Sequence, residues 1–144
     1  MSANLIESLN ICRYVFVYGT LQKDYGNHCW LRTHDGKSTF VCEAITDYTF
    51  GLKDCGFPYM YRSRDNAKPV RGEVYEIHCP DALASTDTLE GVENNHYKRI
   101  LTNVTQVGEK VSYEVWAYIA HESLEMSESN LPFCKVICGE YKWG

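Results

Sequence analysis

Residues 15–28 read VFVYGTLQKDYGNH, and the fold reading starts from this stretch. Val15, Phe16 and Val17 are strand formers, and residues 13–18 alternate as a strand does before the chain reaches Tyr18-Gly19-Thr20-Leu21. A strand that runs into Gly-Thr-Leu and then a short helix, predicted over 27–33, leaves successive main-chain N–H groups pointing outward at the strand end. Together with a helix N-terminus these groups suit a carboxylate or an oxyanion. Glycine at such a point lets a ligand come close to the backbone, because no Cβ stands in the way. An ordinary Gly-Thr turn accounts for the same four residues equally well.

Working outward, further strand signals follow. Residues 39–48 are rich in β-formers, and 58–62 are short and aromatic. VRGEVYEIH at 70–78 alternates cleanly, as do 97–107 and 111–119, with Gly108-Glu109 as the turn of a hairpin between the last two. Residues 81–89 read as a helix: Pro80 precedes them, Asp81 stands near the start, and Gly91 supplies the stop. The tail from Ser123 contains Pro132 and Gly139 and leaves room for at most two short helices. No repeat, linker or low-complexity segment divides the chain. The pattern predicts one α+β domain over 1–144 with about six strands.

Composition narrows the function classes. The chain has 144 residues, enough for a core without staples, with 44% hydrophobic and 23% charged residues. Fourteen Lys+Arg against 19 Asp+Glu give a net charge of −5 with no basic run, which speaks against nucleic acid as a partner. No apolar run approaches the ~20 residues that span a bilayer, and the start MSANLIESLNICRY has no basic, apolar leader pattern. The expectation is a soluble cytoplasmic protein, taken as a monomer. Seven cysteines, at 12, 29, 42, 55, 79, 134 and 138, are spread without a C-x-x-C pair. That spacing reads as reduced thiols acting as small apolar residues rather than as zinc ligands or disulfides.

A second unusual stretch is Asp87-Thr88-Leu89-Glu90-Gly91, followed by Tyr97-Lys98-Arg99. Glu90 falls at the end of the predicted helix, where the helix dipole is itself negative. A carboxylate placed against that preference has a task of its own or points away from the axis; a solvated loop residue is the plain alternative.

V-Y-G-T-L, then G-N-H, V-R-G-E-V-Y, D-x-L-E-G, Y-x-R and a closing I-C-G-E-Y occur in this order along the chain. In order and spacing they resemble the γ-glutamylcyclotransferase-like family, and most closely its γ-glutamylamine cyclotransferase, bacterial YtfP-like and AIG2-like branch. The resemblance runs from about Tyr14 to Gly144, with residues 1–13 as an N-terminal extension. It implies a small mixed β-barrel flanked by short helices. It also implies an enzyme that turns a γ-glutamyl amide, whether a γ-glutamylamine or a γ-glutamyl amino acid, into 5-oxoproline and a free amine.

In that reaction the nucleophile is the substrate's own α-amino group, so neither a Ser-His or Cys-His pair nor a metal or other cofactor is required. What the protein must supply is a curled substrate and a proton carrier. By residue-for-residue match Glu90 is the general acid/base. Tyr18, Gly19, Thr20 and Leu21 match the loop that holds the glutamyl group, and Tyr97 and Tyr118 are further candidate substrate contacts, with core packing as the alternative for each. Glu73 is a rival carboxylate, read as structural and paired with Arg71 or Arg99. His28 and His96 lie near both motifs without an assigned role. Residues 54–64, with Tyr59, Tyr61, Arg62 and Arg64, could border the leaving amine. A non-catalytic protein that keeps the γ-glutamyl pocket is the alternative reading.

Overall fold

In the computed structural model, residues 3–19, 22, 31, 35–54, 58–92, 97–120 and 132–143 are described. The order is α1 (Ala3–Ile11), β1 (Tyr14–Val17), β2 (Ser38–Thr46), β3 (Phe50–Asp54), β4 (Pro58–Arg62), β5 (Arg71–Ile77), α2 (Pro80–Leu89), β6 (Tyr97–Gln106), β7 (Ser112–Ala120), β8 (Val136–Ile137) and β9 (Glu140–Tyr141). Five strands close a barrel in the order β1-β5-β2-β6-β7. All its pairings are antiparallel except β1 with β7, where Val15 stands opposite Trp116 and Phe16 opposite Ala117. The expected small mixed β-barrel with flanking helices is therefore the architecture found.

Alternation along the strands produces two cores. Phe16, Val74, Val104, Val115, Ala117 and Ile119 point inward and fill the barrel. Val15, Val17, Tyr75, Ile77 and Tyr118 point outward, where they meet Leu9 of α1 and Ala82 and Leu83 of α2. Neither helix would persist alone at nine or ten residues; burial of one face against the barrel wall holds them. The N-terminal extension thus forms a helix packed on the domain.

The β3–β4 ribbon and the β8–β9 hairpin stand beside the barrel and add Phe50, Leu52, Met60, Cys134 and Tyr141 to the inner core. Strand β3 was not expected, and β8–β9 replaces the short helices expected in the tail. The hairpin turns at Cys138 and Gly139, both left-handed with φ 53° and 81°, the pair of signs that a tight two-residue hairpin requires. The helix expected over 27–33 lies outside the described residues, apart from Leu31. Cys12, Cys42 and Cys134 are buried outside any disulfide, matching their reading as small apolar residues, whereas Cys79 is half-buried and Cys138 exposed; Cys29 and Cys55 lie outside the described residues. No helix among the described residues is long and apolar enough to cross a membrane.

Candidate active site

Helix α2 starts with proline at its first turn and Asp81 beside it, where the N–H ends are free and negative charge is favoured. It ends where Gly91 takes φ 64°, a left-handed conformation that costs glycine little. Glu90 is the C-cap residue: its N–H still donates to Thr86 O at 3.0 Å, while the chain turns away at Gly91. At helical spacing Glu90 follows the buried Ala82, Leu83 and Thr86, and its side chain is half-buried. Burial pushes its carboxyl from the ordinary 4.5 up to about 7.

Beneath the last turn of α2 lies a hydrogen-bonded cluster. The Tyr118 hydroxyl donates to Asp87 Oδ1 at 2.6 Å and lies 2.8 Å from Thr86 Oγ1. Burial, with the Asp87 carboxylate beside it, pushes the Tyr118 hydroxyl well above the usual phenol range, so it stays a donor. Arg99 Nε donates to the same Asp87 oxygen at 2.9 Å, and the Arg99 guanidinium lies 4.6 Å from the centre of the Trp116 ring. Arg99 and Tyr118 are direct cross-strand partners, so the two donors rise side by side from β6 and β7.

The strand ends complete the arrangement. The Tyr18 hydroxyl, at the end of β1, donates to the main-chain oxygen of Tyr118. The Tyr97 hydroxyl, at the start of β6, donates to the main-chain oxygen of Pro58. Pro58 in turn packs on Gly19 so closely that its Cγ leaves no room for a Cβ there. Gly19 has no left-handed φ; among the described contacts it is the proline ring that requires glycine there.

Of the residues expected at the site, Tyr18 meets Tyr118 directly, Gly19 and Tyr97 both meet Pro58, and Glu90 is linked to Tyr118 only through Thr86. Thr20, Leu21, His28 and His96 lie outside the described residues. All three tyrosine hydroxyls engage protein groups. Glu73 is 5% exposed on β5 and accepts from the Tyr75 hydroxyl at 2.9 Å. The arginines suggested for it have other partners: Arg71 Nε meets Glu140 Oε1 and Arg99 Nε meets Asp87 Oδ1, each at 2.9 Å. Among the described residues no group of three or more His, Cys, Asp or Glu is placed to hold a metal ion.

Two residues at the site had no expected role, Thr86 and Asp87, and Pro58 was expected only as part of the 54–64 stretch bordering the leaving amine. Asp87 lies inside D-x-L-E-G, and its neighbour to Glu90 was a signal; nothing in the sequence ties Pro58 to Gly19.

The family model for gamma-glutamyl cyclotransferase, AIG2-like proteins matches residues 15–141. The chain belongs to this family. Two proteins named "Putative gamma-glutamylcyclotransferase" are similar to it. That of Drosophila melanogaster is 27% identical over 119 residues, spanning 80% of this chain and 74% of the relative. That of Methanocaldococcus jannaschii is 28% identical over 110 residues, spanning 76% and 86%. Among solved folds, an AIG2-like protein from Mus musculus superposes with a TM-score of 0.71 at 23% identity, covering 84% of each chain. A structure titled gamma-glutamyl cyclotransferase has a TM-score of 0.56 at 19% identity, covering 83% of this chain and 68% of that one. At these identities the two structures speak for the family's fold.

Proposed function

We propose that this protein is a cyclotransferase that converts a γ-glutamyl amide into 5-oxoproline and a free amine, with Glu90 as the general acid/base. The observation that carries the reading is the Glu90 carboxyl, half-buried at the end of α2 and pushed up to about 7, on the helix whose Thr86 and Asp87 bond Tyr118, the residue that Tyr18 also meets. Family membership supports the reaction class.

The substrate's α-ammonium gives a proton to Glu90, and the freed amine attacks the γ-carbonyl carbon to close a five-membered ring. The bond from that carbon to the leaving nitrogen then breaks as Glu90 returns the proton to that nitrogen, and the extra proton left on the ring nitrogen passes to the ionised Glu90 and on to the released amine. A carrier that titrates near 7 performs both transfers without a large mismatch in either direction. Main-chain N–H groups of the Gly19–Thr20–Leu21 loop hold the substrate carboxylate and the developing oxyanion. Tyr18, Tyr97 and Tyr118 shape the walls around the glutamyl group. Confining the chain in a curled form lowers the cost of ring closure, since nucleophile and carbonyl already belong to one molecule.

The test is incubation with a panel of γ-glutamyl amides, reading 5-oxoproline by mass spectrometry. Formation of 5-oxoproline with release of one amine supports the proposal and names the leaving group. Stabilisation by 5-oxoproline in a thermal-shift assay without turnover of any amide would replace it with the non-catalytic binder.

A further inference from the structure

We propose that Asp87 is a positioning residue for Glu90, gripped from two barrel strands so that the last turn of α2 keeps one orientation. The inference deepens the cyclotransferase reading and takes from it the role of Glu90.

The geometry is a two-point hold on one oxygen. Asp87 Oδ1 accepts from the Tyr118 hydroxyl at 2.6 Å and from Arg99 Nε at 2.9 Å. These donors come from facing positions on adjacent strands, so they fix both the height and the roll of the helix. Arg99 is itself held over the Trp116 ring. Thr86, the preceding residue, is fully buried, and its hydroxyl meets that of Tyr118. Residues three apart on a helix lie on adjacent rows of one face. Rotating the helix at Asp87 therefore moves the Glu90 side chain with it, and Glu90 has its own N–H tied to Thr86 O.

Surface ion pairs rarely fix anything, but this one is different. The Arg99 and Asp87 side chains are 13% and 18% exposed, and the carboxylate oxygen has two donors from one rigid sheet. Such a partly desolvated pair holds geometry better than it adds stability. Among the described residues, the other titratable groups on the barrel wall that α2 covers are Glu73 and Tyr75 of β5, Tyr97 and Arg99 of β6, and Tyr118 of β7. Asp87 keeps Glu90 in its half-buried place, and losing the grip lets water reach the carboxyl.

The experiment follows the Glu90 carboxyl directly, by 13C NMR titration of the intact protein, in wild type, Asp87→Asn, Asp87→Ala and Tyr118→Phe. Wild type is expected to titrate near 7. Asp87→Ala should titrate at least about one pH unit lower, towards the usual carboxylate range, and Asp87→Asn, which keeps an acceptor oxygen, should fall in between. Tyr118→Phe, which removes one donor and leaves the ring, should move in the same direction; with Asp87→Asn it carries the test if Asp87→Ala does not fold. In turnover, kcat should drop by about tenfold or more in Asp87→Ala with KM within about twofold. A Glu90 titration identical in all four proteins, with only the melting temperature lowered, would overturn the proposal and leave Asp87 a structural residue. Absence of turnover in the wild type would sink the cyclotransferase reading alone, because the NMR titration still decides the position of Glu90.

Discussion

The Tyr18 hydroxyl donates to the main-chain oxygen of Tyr118, a residue one hundred positions later in the chain. This contact joins the end of β1, where the glycine loop begins, to the strand that grips α2. Tyr18→Phe keeps the ring in the core and removes only the donor. We expect it to lower the free energy of unfolding by about 1–2 kcal/mol, read by urea denaturation. An unchanged denaturation midpoint would show that the two strand ends hold together without it.

Glu90→Gln preserves shape and removes the proton carrier. The expected result is a loss of 5-oxoproline formation on the order of a hundredfold or more, with calorimetric binding of a non-cleavable γ-glutamyl analogue largely kept. Glu73→Gln, at a buried position bonded to Tyr75, should instead act mainly on stability. The reverse pattern, an active Glu90→Gln and a dead but folded Glu73→Gln, would move the chemistry to β5.

The raised Glu90 titration makes two pH predictions with defined signs. As the base, Glu90 must be ionised in the free enzyme, so kcat/KM should rise with pH through a limb near about 7. Stability runs the other way. The folded state holds this proton up to about 7 and the unfolded state only to about 4.5, so the contribution is full below 4.5 and is lost as pH rises through 7. Its upper bound is about 3.5 kcal/mol, from about 1.4 kcal/mol per unit. Glu90→Gln should therefore melt higher than wild type at pH 8 and lose the advantage at pH 4. Parallel melting curves for the two proteins across this range would contradict the buried placement of the carboxyl.

Gly19→Ala should cost stability before it touches binding, since its methyl group would collide with Pro58 Cγ. Overpacking of this kind costs about 1–3 kcal/mol. Pro58→Ala made in the same chain should return most of the loss, and a double variant no more stable than Gly19→Ala would refute the pairing. Ligand affinity measured in the double variant then reports on the loop alone.

Elements whose own residues alternate were readable from the sequence. Strand β5, predicted over 70–78, is Arg71–Ile77, and the β6–β7 hairpin turns at the expected Gly108. Strand β3 was hidden because Gly51, Lys53 and Asp54 are poor strand formers; pairing with β4 holds it, with the Tyr61 ring lying over Gly51. The tail hairpin was hidden by a cysteine in a left-handed position where asparagine is the usual sign. At the candidate site, helix punctuation placed Glu90 at the end of α2, because its cause is local, while the role proposed for it came from the resemblance to the family. The Asp87–Arg99 pair and the Gly19–Pro58 contact depend on which strand ends meet, and no short window of sequence carries that.

The parallel seam between β1 and β7 has a consequence for biosynthesis. A growing chain makes β1 first, and β1 gains its β5 neighbour only after residues 71–77 emerge. Its other edge stays open until residues near Trp116 and Ala117 have left the ribosome. Through most of translation, Val15, Phe16 and Val17 are therefore an apolar strand with an unpaired edge, the kind of surface that recruits other chains. Contacts of such long sequence separation also form slowly. Until the seventh strand arrives to shut the ring, that edge is the one open to pairing with another chain.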